Sequence, residues 1–366
     1  MTGRGSASVT PRVSIIVPVH NGAETLPACL AAIKASEYHN SELIVVDDGS
    51  TDDSGSIAKA MGCRVIVVKG KRGAAHARNL GVAAANGEVL LFVDADVIIR
   101  PNTVRQAVQA LDEGGWDAVF GSYTSETPAA DFFSQFHNLL HHYTHQHSRE
   151  SAVTFWSGCG AVRRNAFEAV GGFDDRHPPV EDIALGYALS AAGFRIRLDK
   201  RMQVTHLKRH SFLTLLRTYF AGRAVPWTRL MLDHRAFRSD LNTKSEHVLS
   251  VGLACLLPIC ILGAAWHWLA VVAAIGMELG LLWANRGFLS FLRRQRGFWF
   301  AAFSELELHL FYIVCGVGTV GGLLSYWRFR RRYPERHRPK PSAPVRDSGG
   351  KSPAMAIPLG GEGQSE

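Results

Sequence analysis

Two aspartates spaced two apart, Asp94 and Asp96, follow the apolar run Val89–Val93 in the stretch Val93-Asp94-Ala95-Asp96-Val97. A strand carried through that pair puts both carboxylates on one face. It also puts them at the carboxyl end of a sheet, where open α/β sheets bind ligands. Two close carboxylates repel unless positive charge sits between them. A divalent cation such as Mg2+ or Mn2+, bridging to a diphosphate, supplies that charge through hard oxygen ligands. The plainer alternative is a loop with two solvated aspartates. The buried strand in front of the pair favours the cation.

A second apolar strand ends the same way, in Val45-Val46-Asp47-Asp48-Gly49-Ser50-Thr51-Asp52. An aspartate there can accept from a base N–H or a ribose hydroxyl. Ser50, Thr51 and Asp52 also suit an ordinary turn with helix caps. Lys69–Asn79 sets Lys69, Lys71, Arg72 and Arg78 around glycines before a helix. Cations beside helix-start N–H groups suit phosphate; a solvated basic loop is the alternative. Glu181-Asp182 opens a helix after Pro178-Pro179. Acids in a first turn complement the macrodipole, or one of them serves as general base toward an acceptor hydroxyl. His206, after Val204-Thr205, is either a third metal ligand or a structural histidine. His137, His141 and His145 repeat at helical spacing beside His142 and His147. No carboxylate or cysteine is in register with them, so an amphipathic helix or acceptor-site lining is favoured over a metal.

The elements that must position these groups read as alternating strands and helices. Apolar runs at Val13–Val19, Glu42–Val46, Arg64–Val68 and Val89–Val93 suit strands covered on both faces, hence a parallel sheet. Helical patterns lie between them: Leu26, Leu30 and Ile33 after a candidate cap at Asn21, a helix after Ser54, Ala74–Ala85, and one begun by Pro101. Beyond Gly114-Gly115 we expect a helix over Asp131–His147, a mixed strand and loop over Thr154–Arg163, a helix over Glu181–Ala192, and two late strands, Arg195–Leu198 and Gln203–Thr205.

The chain has 366 residues, 47% of them apolar and 20% charged, which excludes global disorder. Six dispersed cysteines without a CxxC argue against zinc and against a disulfide scaffold. The polar residues 1–11 read as disordered, without a cleaved signal. Residues 211–245 read as an amphipathic helix at a membrane interface plus a linker, with Arg217, Arg223 and Arg229 among aromatic residues. Residues 246–327 hold two to three membrane segments, about 248–265, 268–284 and 306–326, with Trp266-His267-Trp268 at a far-side turn. A third full span sets the basic tail outside, against the positive-inside rule. A re-entrant or interfacial segment keeps it inside. Residues 328–366 are basic and then Pro/Gly/Ser-rich, which reads as disorder. Seven basic residues against one acid between Arg328 and Lys340 account for most of the +8 net charge, and this position favours anionic lipid over nucleic acid.

The ordered motifs PVHN (18–21), VVDDGSTD (45–52), GAAHARNLG (73–81), FVDAD (92–96), GCGAVRR (158–164), GGFD (171–174), EDIALGYALSAAGFRI (181–196) and VTH (204–206) resemble the family 2 glycosyltransferases over residues 12–210. The resemblance implies an α/β GT-A fold, the nucleotide-diphospho-sugar transferase form of a Rossmann-like, mostly parallel sheet, followed by C-terminal transmembrane helices. It implies inverting, hexosyltransferase-type transfer from a nucleotide-diphosphate sugar. Carried over by motif, Pro18, Val19, Asp47, Asp48, Arg78, Asp94 and Ala95 would bind donor. Asp94, Asp96 and His206 would hold the metal. Asp182 would be the base, with Glu181 beside it, and Gly158, Cys159 and Gly160 would lie at the acceptor side. Similar bacterial members act at the inner membrane, catalytic domain in the cytoplasm, on lipid-linked or envelope glycan acceptors.

One departure matters. Processive members carry a QxxRW-type motif, whereas here Gly222-Arg223-Ala224-Val225-Pro226-Trp227 separates Arg from Trp. That favours transfer of a single sugar. The rival readings are a nucleotidyltransferase acting on a sugar phosphate and a catalytically silent, membrane-tethered sugar-nucleotide binder.

Overall fold

The computed structural model describes residues 10–234 and 245–332. The expected disordered ends, most of the linker and the tail lysine and arginines beyond Arg332 lie outside these residues. Thr10 and Pro11, included in the expected disordered start, are tied to the domain by Asn40 and Tyr38.

The first strands fall where the apolar runs place them: β1 (Val13–Val19), β2 (Ser41–Asp47), β3 (Arg64–Val67) and β4 (Val89–Val93). They pair in parallel, in the order β3-β2-β1-β4. Their continuous apolarity has a direct cause, because both faces are covered. Val13, Ile15 and Val17 pack with α1 (Leu26–Lys34) and α4 (Thr103–Asp112), while Ile16, Leu90 and Phe92 face the opposite layer. Each such fully buried aliphatic or phenyl side chain stabilises the domain by roughly 1.5–3 kcal/mol.

Two helix starts differ from expectation. Asn21 is not a cap: it adopts a positive φ of 53°, and its side chain accepts from the Thr51 N–H, tying the β1 loop to the β2 loop. Thr25 precedes α1 instead. Pro101 precedes α4 by two residues and leaves Asn102 at the cap position.

The second half turns the sheet mixed. After β5 (Val97–Ile98), β6 (Ala118–Tyr123) and β7 (Ser151–Ala152), strand β8 (Cys159–Arg163) runs antiparallel between β4 and β6. The two expected late strands are one, β9 (Ile196–His206), parallel to β6 with a register shift between Phe120 and Ser122. At the shift Asp199 turns aside to bind Arg201, which explains why the apolar pattern breaks there.

Helices α2 (Ser54–Ala60), α3 (Ala74–Ala83), α5 (Phe132–Gln146), α6 (Arg164–Ala169) and α7 (Glu181–Ala191) complete the domain. The amphipathic segment is α8 (Phe212–Tyr219) and α9 (Val225–Asp233), joined through a π-helical turn, Phe220–Ala224. Three helices follow: α10 (Ser245–Gly263), α11 (Trp268–Arg296) and α12 (Phe298–Arg332), each long and apolar enough to cross a membrane. The third is longer than the expected 306–326. Phe136 and Leu139 of α5, Leu215 and Tyr219 of α8, and residues of α10–α12 share one apolar cluster, which fastens the domain to these helices.

Candidate active site

The carboxyl ends of β1, β4 and β9 and the start of α7 open on one cleft of about 900 Å³. Its walls include Pro18, Val19, Asp48, Arg78, Asp94, Ala95, Asp96, Glu181, Asp182 and His206, ten of the residues singled out from the sequence.

Asp94 and Asp96 reach the cleft by a different route from the expected strand periodicity. The strand stops at Val93, and residues 94–96 form a turn closed by the Val97 N–H on the Asp94 carbonyl at 3.0 Å. The two carboxylates therefore diverge. Asp94 Oδ1 accepts from an Arg78 guanidinium nitrogen at 2.8 Å, and Asp96 Oδ2 lies 3.6 Å from His206 Nε2. Strand β5 pairs Val97 with His206 and so fixes that second contact. Burial by itself would raise the Asp96 carboxyl pKa; the His206 ring and the Lys208 charge prevail and hold it below the usual value.

Arg78 projects inward from α3 and is buried; its other terminal nitrogen donates to Glu181 Oε1 at 2.8 Å. A guanidinium can bridge two carboxylates in this way because its donors form a planar fork. Burial opposes the charge, yet Asp94, Glu181 and Asp182 together strengthen it. Glu181 is thus committed to an ion pair. Among the described residues Asp182 accepts only from backbone, the N–H groups of Ser157 at 3.3 Å and Ile183 at 2.8 Å. Burial first, then the charge of Glu181, push its pKa up to about 7 against the pull of Arg78. That range suits a general base at neutral pH.

Asp48 faces the cleft, but its oxygens accept from the Arg72 and Gly73 N–H groups at 2.8 and 2.7 Å. It shapes the basic loop, of which Lys71 reaches the cleft. Asp47 does not line the cleft; it is buried and accepts from the Ser50 N–H at 2.9 Å. Gly158, Cys159 and Gly160 do not line the cleft, though their neighbour Ser157 does. The Gly158 carbonyl holds the Asp94 N–H at 3.2 Å, and Cys159 pairs with Val93 inside the sheet. Burial pushes the Cys159 thiol up to about 12, which leaves it inert.

Several cleft residues were not singled out from the sequence. Tyr123, at the end of β6, stacks on His206 with centroids 4.3 Å apart and on His141 at 4.2 Å, with the Trp156 edge at 4.9 Å. Lys208, His210 and Arg223 also line it. The basic, histidine-containing run after His206 carried a signal for the first two. Arg223 was named on a polar helix face and in the Arg–Trp spacing but not as a cleft residue; it sits in the π-helical turn and lines the cleft. The histidine helix is structural: His141 and His145 pack ring on ring at 4.0 Å, and burial lowers the His145 pKa to about 4. His137 alone of that helix reaches the cleft.

Residues 14–171 match the family described as glycosyl transferase family 2. Glycosyltransferase GlyG of Streptococcus pneumoniae serotype 4 is 39% identical over 116 residues, 30% of this chain and 38% of its own, so the chain spans well under half of that relative. Succinoglycan biosynthesis protein ExoA of Rhizobium meliloti is 29% identical over 275 residues, 70% of this chain and 80% of its own. Among solved structures, mannosyltransferase PcManGT from Pyrobaculum calidifontis, in complex with GDP-Man and Mn2+, superposes with a TM-score of 0.60 at 21% identity, covering 86% of this chain and 88% of its own.

Proposed function

Because this chain belongs to glycosyl transferase family 2 and has the GT-A fold, we propose that it transfers one sugar from a nucleotide-diphosphate donor to an acceptor hydroxyl with inversion. The observation that carries this reading is the Arg78 bridge between Asp94 and Glu181, with Asp182 left beside it in the same cleft.

The donor set suits a divalent cation. Asp94, Asp96 and His206 offer carboxylate oxygens and an imidazole nitrogen to one cleft, and the 3.6 Å between Asp96 and His206 is near the spacing of two ligands on one ion. Among the described residues the three do not close into a tight cluster, since Asp94 is turned to Arg78. When bound there, Mg2+ or Mn2+ supplies positive charge to the departing diphosphate.

The chain's own residues do the rest. Pro18 and Val19 wall the mouth where β1 ends, and Asp48 fixes the loop that presents Lys71 to phosphate. Asp182 takes the acceptor proton as the acceptor oxygen bonds the anomeric carbon. The bond from that carbon to the diphosphate oxygen breaks on the opposite face, and the nucleoside diphosphate leaves with the electron pair. Arg78 occupies Glu181 in an ion pair at 2.8 Å, which leaves Asp182 as the acid of the motif open to the acceptor.

The setting we propose is the cytoplasmic face of the cell's inner membrane, with a lipid-linked or other envelope acceptor. Thr218, Gly222 and Arg223 of the amphipathic segment line the same cleft, which supports an acceptor arriving from the bilayer. The products decide between rivals. Incubation with a panel of nucleotide sugars should release free nucleoside diphosphate. Release of pyrophosphate instead indicates nucleotidyl transfer, and donor binding without turnover across acceptors indicates a silent binding protein.

A further inference from the structure

Helix α12 is long enough to cross a bilayer, yet its packing is that of a helix lying flat, and we propose that it rests in the membrane interface without spanning. Near its start, the Phe300 ring meets Phe132 of the catalytic domain, with centroids 5.0 Å apart. Near its end, Phe329 meets His177 of the same domain at 5.1 Å. Those contacts are 29 residues apart, about 43 Å along a helix axis. A hydrocarbon core is about 30 Å thick. A spanning helix would carry one of the two contacts to the far side, away from the domain.

Between these ends one line of contacts follows α8 and α9, while His309 and Tyr312 reach Glu278 and Asn285 of α11. Tyr219 meets Phe311, Ala224 packs on Gly318, Thr228 on Gly322, and Arg229 donates to Ser325 at 2.9 Å. So α12 runs parallel to α8 and α9, which are tied to the domain at both ends, through His210 to Ser134 and through His177 to Asp233. A β-carbon at Gly322 would stand 2.6 Å from the Thr228 β-carbon, so glycine is what lets the two axes approach.

The outer face fits the same placement. Trp299, Phe303, Leu306, Val317, Val320 and Leu324 are exposed, at steps of three or four with Leu310 and Ile313 between. The six exposed residues lie on one side of the helix, opposite the buried Ala301, Leu308 and Tyr312, and present an apolar face. The occupant of this face is the bilayer, for two reasons. Arginines flank the stripe at both ends, Arg293, Arg294 and Arg296 before it and Arg328 and Arg330–Arg332 after it, as an anionic leaflet requires. Helix α12 also packs on the α10–α11 hairpin through His309 and Tyr312, and the feet of that hairpin stand on the domain: Arg296 donates to Gln135 at 2.7 Å, while Trp266 and Trp268 lie exposed at the far turn. Two spans and one flat helix leave every arginine cluster on the catalytic side, which satisfies the positive-inside rule.

Nitroxide labels on the full chain in vesicles test this, placed singly by Phe303→Cys, Leu306→Cys, Val317→Cys, Val320→Cys and Leu324→Cys. A flat helix gives all five nearly one depth, roughly 5–10 Å below the headgroups. A progression through roughly 30 Å from the first label to the last overturns the proposal. The unlabelled sequence offers a second check. Tags at the two chain ends should be cleaved from the same face of sealed vesicles; cleavage from opposite faces overturns it.

An independent observation concerns a cavity of about 350 Å³ between the loop before α7, α9 and the end of α12. Among the described residues its wall holds four guanidiniums, of Arg176, Arg229, Arg328 and Arg332, and no carboxylate. Arg176 is occupied by Asp174 and Asp233, but no acid pairs with Arg229 or Arg328 among the described residues. The structure assigns to this cavity a phosphate group, held by charge-assisted bonds from arginine, of an anionic lipid headgroup or of a soluble phosphate. Pro178 lines this cavity and its neighbour Pro179 lines the catalytic cleft, so the two sites share a wall.

Native mass spectrometry of the full chain, offered phosphatidylglycerol, phosphatidylcholine or inorganic phosphate, tests the assignment. Arg229→Gln and Arg328→Gln should each lower phosphatidylglycerol retention by about tenfold. Arg105→Gln, which removes the same charge from α4 where Arg105 pairs with Glu37, should not. The same pattern with inorganic phosphate alone identifies a soluble ligand and still supports the site. Equal loss in Arg328→Gln and Arg105→Gln, or none in any variant, overturns it.

Discussion

Arg78 and Asp94 are joined at 2.8 Å from α3 to the end of β4, so the acid of the FVDAD stretch nearest the strand is held by a buried cation before any ligand arrives. The same guanidinium holds Glu181, and one side chain thereby fixes the spacing between the proposed cation site and the proposed base.

Replacing that guanidinium should be costly in two ways. Arg78→Gln leaves Glu181 buried without its partner, which costs about 3–5 kcal/mol. Thermal unfolding should move down by several degrees, and donor turnover should fall by at least about 10²-fold. Arg78→Lys should recover part of the stability and less of the rate, because an ammonium cannot reproduce the fork.

Asp182 should separate chemistry from binding. Asp182→Asn keeps the shape and one of the two backbone contacts, since its amide nitrogen cannot accept the other N–H, and it cannot accept a proton from the acceptor. The turnover number should drop by about 10²–10⁴, while donor affinity measured by calorimetry stays near that of the unaltered chain. Loss of donor binding in step with turnover would instead make Asp182 a donor ligand.

The pH dependence follows from the same residue. A base raised to about 7 is protonated, and idle, below that pH, so kcat/KM should climb as pH rises through about 7 and then level. The stability effect has the opposite sign. A carboxyl raised by folding favours the folded state while neutral, and this contribution is lost as pH rises through about 7. Asp182→Asn should remove both trends.

Gly186 should test how tightly the base is positioned. It lies one turn beyond Asp182 on α7, and a β-carbon there would stand 2.3 Å from the Phe155 backbone nitrogen. Gly186→Ala must push the helix off the Thr154–Phe155 backbone. Turnover should fall by about 10²-fold, since a displacement near 1 Å has that effect, with Tm lowered as well.

The strands that carry the site were legible because their signal is local. Val13–Val19 and Val89–Val93 are apolar throughout, and only a strand covered on both faces requires that. The pairing of Asp96 with His206 was half legible: both were named, but the β5–β9 pairing that joins them spans over a hundred residues and leaves no local mark. Tyr123 and Arg223 escaped for a like reason. An aromatic residue at a strand end and an arginine on an amphipathic helix have commonplace roles, and only the stacking on His206 and the π-helical turn distinguish these two. Gly158, Cys159 and Gly160 were named by motif, and they stand in and beside β8, next to the end of β4 and off the cleft wall. The span count was open because length and hydropathy are the same for a crossing helix and a flat one.

The account depends most on a cation held by Asp94, Asp96 and His206 against a departing diphosphate. Its most direct test is release of nucleoside diphosphate from the nucleotide sugar, by the full chain and by Asp96→Ala, across a titration of Mn2+ or Mg2+ after chelation. The account requires that chelation stop release, that added metal restore it, and that Asp96→Ala stay at least about 10²-fold slower at every metal concentration. Release that continues unchanged both in the chelated chain and in Asp96→Ala would contradict it.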